Sequence, residues 1–69
     1  MTWSGEEGNI KWEIRGYGRI IEVKVKDNKG NFLSEKHECG YEPVFGYDGS
    51  DVYEVNKITD KLIEKIEKI

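Results

Sequence analysis

Several residue types and sequence features are scarce or missing in this chain of 69 residues, and some of these absences argue against a class of protein. The chain has no alanine and no glutamine, with one cysteine, one proline and one histidine. Its only cysteine, Cys39, cannot form an internal disulfide, which is typical of a reducing compartment. No apolar run approaches the roughly 18 residues of a membrane span, and the first residues resemble no signal peptide or basic presequence. We therefore expect a cytoplasmic protein without a membrane segment.

Chain length and net charge argue against two further classes of protein: enzymes with an enclosed active site and general nucleic-acid binders. A chain this short forms one domain, residues 1–69, and buries only about 60% of its unfolded surface, which leaves little room for an enclosed active site. The net charge of −3 argues against a general nucleic-acid binder, because phosphate contacts need a clustered positive surface. The stretch from Glu35 to Glu54 contains six acidic residues and one base, Lys36, so its net charge is 1 − 6 = −5.

Two stretches of alternating apolar and charged residues predict the first hairpin. Residues 10–14 and 19–26 both follow the period of two that is typical of half-buried strands. We place a two-residue turn at Gly16 and Tyr17 between them. This turn pairs Trp12 with Ile21, Ile10 with Val23 and Lys11 with Glu22. Residues 1–8 are polar and are interpreted as a flexible tail.

A second hairpin is predicted around residues 27–30, Asp-Asn-Lys-Gly. Aspartate favours the first position of a type I turn, and Gly30 accepts a positive φ at little cost. The third strand then spans about residues 31–39. Its register pairs Val25 with Leu33, Glu22 with Lys36 and Ile21 with His37. His37 and Cys39 share the inner face, and Glu35 points inward as a misfit.

From Asp51 the period changes to 3.6, which predicts a helix over residues 51–69 with Asp51 as its N-cap. One arc of about 140° on this helix contains no charged residue. Its members are Val52, Val55, Ile58, Thr59, Leu62, Ile63, Ile66 and Ile69. The prediction is an α+β fold, a three-stranded antiparallel meander (β-β-β) with one C-terminal helix packed on one face.

The sequence offers no complete set of catalytic or metal-binding residues. His37 and Cys39 lie two positions apart on one strand, about 7 Å along it, which is too far for the hydrogen bond of a nucleophile and its base. The same pair supplies half of a zinc site, and the remaining ligands would have to be carboxylates. Asp48 and Asp51 offer oxygen ligands for a hard cation, although turn formation and helix capping explain both. We predict no catalytic residue, no metal and no cofactor, and hence no enzyme.

The segment between the third strand and the helix, residues 40–50, is unusually rich in aromatic and acidic side chains, and we call it the connector. Tyrosine and phenylalanine are typical anchors of protein interfaces. Val44 and Phe45 have a second interpretation, as a plug over the open end of the core. Tyr53 lies on the outer face of the predicted helix. The candidate binding residues are Tyr41, Glu42, Phe45, Tyr47, Asp48 and Tyr53.

These features favour a small non-enzymatic module that binds a protein or a second copy of itself, the latter by pairing free edges of strands one or three. Nucleic-acid binding by the outer sheet face is the alternative. In layout only, and without a shared motif, the chain resembles the sheet-reading DNA-binding domains of plant transcription factors and of integrase arms. A third hypothesis is an acidic nucleic-acid mimic that inhibits a DNA-binding protein.

Overall fold

A computed structural model describes residues 2–40 and 49–69 of the chain. In these residues an antiparallel sheet with the order β1-β2-β3-β4 is followed by one helix, α1. The elements are β1 (Thr2–Glu7), β2 (Ile10–Tyr17), β3 (Ile20–Lys26), β4 (Phe32–Glu38) and α1 (Gly49–Glu67). The α+β class and the C-terminal helix are confirmed, but the sheet has four strands where the sequence predicted three.

The additional strand, β1, lies in the residues that were interpreted as a flexible tail. It pairs with β2 along its whole length, from Thr2 opposite Arg15 to Glu7 opposite Ile10. Gly8 and Asn9 form the two-residue connection, and Gly8 has a φ of 60°, as the first central position of a type II′ turn requires. Trp3 is the one large apolar side chain of this strand, and it packs against the core.

The predicted register of the next hairpin is wrong. The chain turns at Gly18 and Arg19, so that Tyr17 pairs with Ile20 and Trp12 pairs with Val25 instead of Ile21. Gly18 has a φ of 59°, again the conformation that glycine adopts cheaply at the first position of a II′ turn. The error moves each partner by four positions, and a shift by an even number leaves every side chain on the same face. The alternation of residue types is therefore equally good in both registers.

The last hairpin has the predicted register. Val25 pairs with Leu33 and Ile21 pairs with His37, and Gly30 has the expected positive φ. The carboxylate of Asp27 accepts hydrogen bonds from the side-chain and backbone nitrogens of Asn31, each at 2.9 Å. The bond from the Asn31 side chain, the largest influence, helps to hold the pKa of Asp27 below its ordinary value.

Helix α1 lies over β3 and β4. It begins at Gly49, two residues before the predicted start, so Asp51 lies within the first turn. Its buried side chains Val55, Leu62 and Ile66 pack on the inner sheet face, and Thr59 is buried with its hydroxyl donating to the Val55 carbonyl at 2.9 Å. The buried core consists of Ile10, Ile14, Ile21, Val23, Val25, Cys39, Val55, Leu62 and Ile66.

Glu35, the predicted misfit, does lie opposite Val23 on the inner face of β4. Its carboxylate accepts a hydrogen bond from Lys61 of α1 at 3.1 Å, and both side chains remain partly open to solvent. The charge is therefore accommodated at the border of the core by a partner on the helix.

Candidate functional site

Most of the predicted binding residues lie outside the part of the chain that the structure describes. This holds for five of the six candidates, all in the connector: Tyr41, Glu42, Phe45, Tyr47 and Asp48. The sixth, Tyr53, lies on α1 and is 62% exposed, as the sequence predicted. Phe45 is one of these five residues, so its position in the core or on the surface stays a prediction.

The start of α1 presents apolar surface directly after the connector. Val52 belongs to the predicted apolar arc, yet it is 40% exposed. Beside it, the Lys57 ammonium lies 5.3 Å from the centre of the Tyr53 ring, within the range of a cation–π contact. We call Val52, Tyr53 and Lys57 the helix-start surface.

The outer face of the sheet carries a shallow groove of about 660 Å³. Its charged lining residues are Glu6, Lys11, Glu13, Arg15, Lys24 and Lys26, giving 4 − 2 = +2. Several of these bases already have acidic neighbours. Lys11 lies 3.7 Å from Glu6, Arg15 donates to Glu13, and Lys24 lies 3.9 Å from Glu22 outside the groove. Exposed pairs of this kind contribute little to stability, but they reduce the positive potential available to a phosphate.

The two edges of the sheet are β1 and β4. The first strand of the predicted meander, β2, is paired on both sides and offers no edge, which corrects the expectation that it could pair with another copy. On β4 the inward Glu35 and the outward Lys36 and Glu38 are the kinds of charge that discourage edge pairing. The β1 edge is less protected, because the centre of this strand consists of the uncharged residues Ser4 and Gly5.

A cluster of chemically active side chains lies where β4 ends and α1 begins. His37 Nε2 lies 3.1 Å from the Asp51 carboxylate. One potential ligand atom from each of His37, Cys39 and Asp51 lies within 4.8 Å of the others. The separation of about 7 Å inferred from strand geometry was thus too large for the side-chain atoms. Sequence reasoning found His37 and Cys39 together but missed Asp51, because no local signal links the two ends of the connector.

Comparison with known proteins identified no relative: no protein-family model, curated protein or solved structure matches this chain. Within residues 2–40 and 49–69, no helix is both long and apolar enough to cross a membrane. A functional assignment therefore depends on the chemistry of the surfaces and of the cluster described above.

Proposed function

We propose that this chain is a small non-enzymatic module of the cytoplasm that binds a protein partner through the helix-start surface and the adjoining connector. The observation that carries the proposal is the exposure of Val52 and Tyr53 at consecutive positions of α1. Single exposed aromatic residues are common. Here the aromatic side chain is next to an uncovered member of the apolar arc, and both follow a segment with three further aromatic residues.

Charge supports a partner with a basic surface. The stretch that runs from β4 through the connector to the first turns of α1 is the most acidic part of the sequence, with six acids and one base between residues 35 and 54. Acidic side chains around apolar anchors steer a basic partner during encounter and add specificity more than affinity. A DNA-binding protein inhibited by an acidic nucleic-acid mimic is one such partner. A second copy of the chain is the alternative partner; it would pair along the β1 edge and would not use the helix-start surface.

Nucleic-acid binding by the outer sheet face is the second candidate, and the observation in its favour is the groove with a net charge of +2. Lys26 has no acidic partner within ion-pair distance among the described residues. The neighbouring Glu6 and Glu13 oppose a phosphate, so we rank this function below protein binding.

The test compares the unmodified chain with Tyr53→Ala and, as a matched control, Asn56→Ala, another exposed position of α1. Proteins captured from an extract of the cells that make the chain are identified, purified and titrated against each variant. We expect Tyr53→Ala to raise the dissociation constant at least about 10-fold, since truncation of an interface hot spot costs about 2 kcal/mol or more and about 1.4 kcal/mol is tenfold, and Asn56→Ala to leave it unchanged. Equal affinities for the three proteins would contradict the proposal.

A second arm measures the binding of labelled duplex DNA over a range of salt concentrations. We expect no binding at physiological salt. Binding that weakens with salt and is lost in Lys24→Gln/Lys26→Gln would favour the second candidate, because each phosphate contact contributes to the salt dependence.

Denaturant unfolding of Phe45→Ala and Tyr47→Ala decides the part played by the connector. A change within about 0.5 kcal/mol supports a binding surface. A loss of about 3 kcal/mol or more marks a buried aromatic plug and removes that residue from the proposed surface.

A further inference from the structure

The cluster at the junction of β4 and α1 has the composition of a transition-metal site. His37, Cys39 and Asp51 contribute an imidazole, a thiol and a carboxylate, and their ligand atoms lie within 4.8 Å of one another. The site is enclosed: Cys39 is 2% exposed and Asp51 8%, and the His37 side chain is 20% exposed.

Each ligand is held by a different part of the fold. His37 is fixed in β4 by its pairing with Ile21. Cys39 follows the end of that strand, and its backbone nitrogen donates to the Arg19 carbonyl at 2.7 Å. The Arg19 guanidinium donates in turn to the Gly40 carbonyl at 2.9 Å. Asp51 belongs to the first turn of α1, so the backbone positions of all three ligands are set by regular structure or by hydrogen bonds.

The ligand types select the metal. Thiolate and imidazole favour Zn²⁺ over Mg²⁺ and Ca²⁺, which prefer oxygen ligands. Tetrahedral Zn²⁺ with bonds of about 2.0–2.3 Å places its ligand atoms roughly 3.5 Å apart. Contraction of the cluster by about 1 Å would meet this geometry, and the His37–Asp51 contact already does.

Charge balance also favours a divalent ion. With Cys39 as thiolate, Asp51 as carboxylate and His37 neutral, the ligands carry −2 and Zn²⁺ carries +2. The buried site is then neutral overall, as burial demands. The same enclosure argues against Cys39 as a catalytic nucleophile, because a substrate cannot reach a side chain that is 2% exposed.

We propose that His37, Cys39 and Asp51 bind one Zn²⁺ ion, with the fourth position left to water. The ion would join the end of β4 to the start of α1 and so fix both ends of the connector. This inference does not depend on the proposed function, because its three ligands lie at the junction of β4 and α1 with at most 20% side-chain exposure, whereas Val52 and Tyr53 are exposed.

The first measurement is calorimetric titration of the metal-free chain with Zn²⁺, with Co²⁺ as a spectroscopic substitute. We expect one ion per chain, release of the Cys39 thiol proton on binding, and a sulfur-to-cobalt charge-transfer band together with the visible bands of a tetrahedral site. Saturating Zn²⁺ should also raise the unfolding temperature, because the three ligands are brought together only in the folded chain, which therefore binds the ion more tightly than the unfolded chain does.

Cys39→Ala and Asp51→Asn test the assignment, and Glu54→Gln, an exposed acid on the same helix, is the matched control. Loss of outer-shell groups around metals weakens binding by about 10–100-fold, so loss of the thiolate should weaken it at least about 100-fold and abolish the charge-transfer band. Asp51→Asn keeps the shape of the side chain and covers the case in which Cys39→Ala fails to fold. No stoichiometric Zn²⁺ on the unmodified chain, or unchanged affinity in folded Cys39→Ala or Asp51→Asn, overturns the proposal.

Discussion

At the scale of single residues, the contact between Gly5 and Trp12 shows how an edge strand with almost no apolar side chains stays attached to the sheet. The two residues pair across β1 and β2, and the Trp12 indole covers the glycine. A Cβ atom built on Gly5 would lie 2.2 Å from Trp12 Cζ2, well inside van der Waals contact. An aromatic ring packed over a glycine of an edge strand is a known device for fixing register.

We predict that Gly5→Ala destabilises the fold by about 1–3 kcal/mol, the usual range for overpacking. In most strands Gly→Ala stabilises the fold, because glycine within a strand is destabilising relative to alanine. Denaturant unfolding measures the change, and Ser4→Ala on the exposed face of the same strand is the control, with an expected change within about 0.5 kcal/mol. In a Trp12→Ala background the effect of Gly5→Ala should disappear; an unchanged effect there would mean that the indole is not its cause.

At the scale of elements, α1 covers only part of the sheet, and its apolar arc is longer than the surface that it buries. Val55, Thr59, Leu62 and Ile66 are buried, whereas Val52 and Ile69, which lies two residues beyond the end of α1, are exposed. The periodicity of a helix shows which side chains share a face, but only the tertiary packing decides which of them are covered.

Val52 and Val55 make a matched pair for this point, because they are the same residue type on one helix and are 40% and 1% exposed. We predict that Val55→Ala lowers the free energy of unfolding by about 2 kcal/mol through lost burial and cavity formation. Val52→Ala should change it by no more than about 0.5 kcal/mol. The gain in helix propensity is common to both variants, so the difference between them reports burial alone. Equal changes would place Val52 in the core and weaken the proposed helix-start surface.

At the scale of the whole molecule, β1 completes the sheet beyond the strands that α1 covers. Trp3 of this strand lies opposite the buried Ile14, and its side chain packs against the core. In a domain of this size, whose total stability is about 5–15 kcal/mol at most, a fourth strand with one large apolar side chain is a substantial contribution.

We predict that deletion of residues 1–7 lowers the free energy of unfolding by at least about 2 kcal/mol, since it exposes Ile14 and removes the Trp3 contact. Removal of residues 68 and 69, which follow the end of α1 and are exposed, is the control and should cost less than about 0.5 kcal/mol. Thermal or denaturant unfolding gives both values. A deletion without effect would show these residues to be the flexible tail that their polar composition suggested.

The sequence was sufficient to predict the helix, its apolar face, the exposure of Tyr53 and the register of β3 with β4. Each of these depends on local information: a period of 3.6 over 19 residues, or a turn of four residues whose Asp27 and Gly30 have defined backbone preferences. The inward position of Glu35 also followed from that turn, because one fixed register determines every pair along two strands.

The presence of β1, the register of β2 with β3, and the partners of His37 and Glu35 depend on the tertiary structure. The strand β1 has one large apolar residue and gains its stability from packing on β2, although Gly8-Asn9 is a recognised hairpin signal. The predicted and observed registers of β2 with β3 place the same side chains on the inner face, so the sequence pattern does not distinguish between them. Asp51 contacts His37, and Lys61 contacts Glu35, because α1 packs back over the sheet. These contacts join residues 14 and 26 positions apart, and a periodic pattern in the sequence does not predict them.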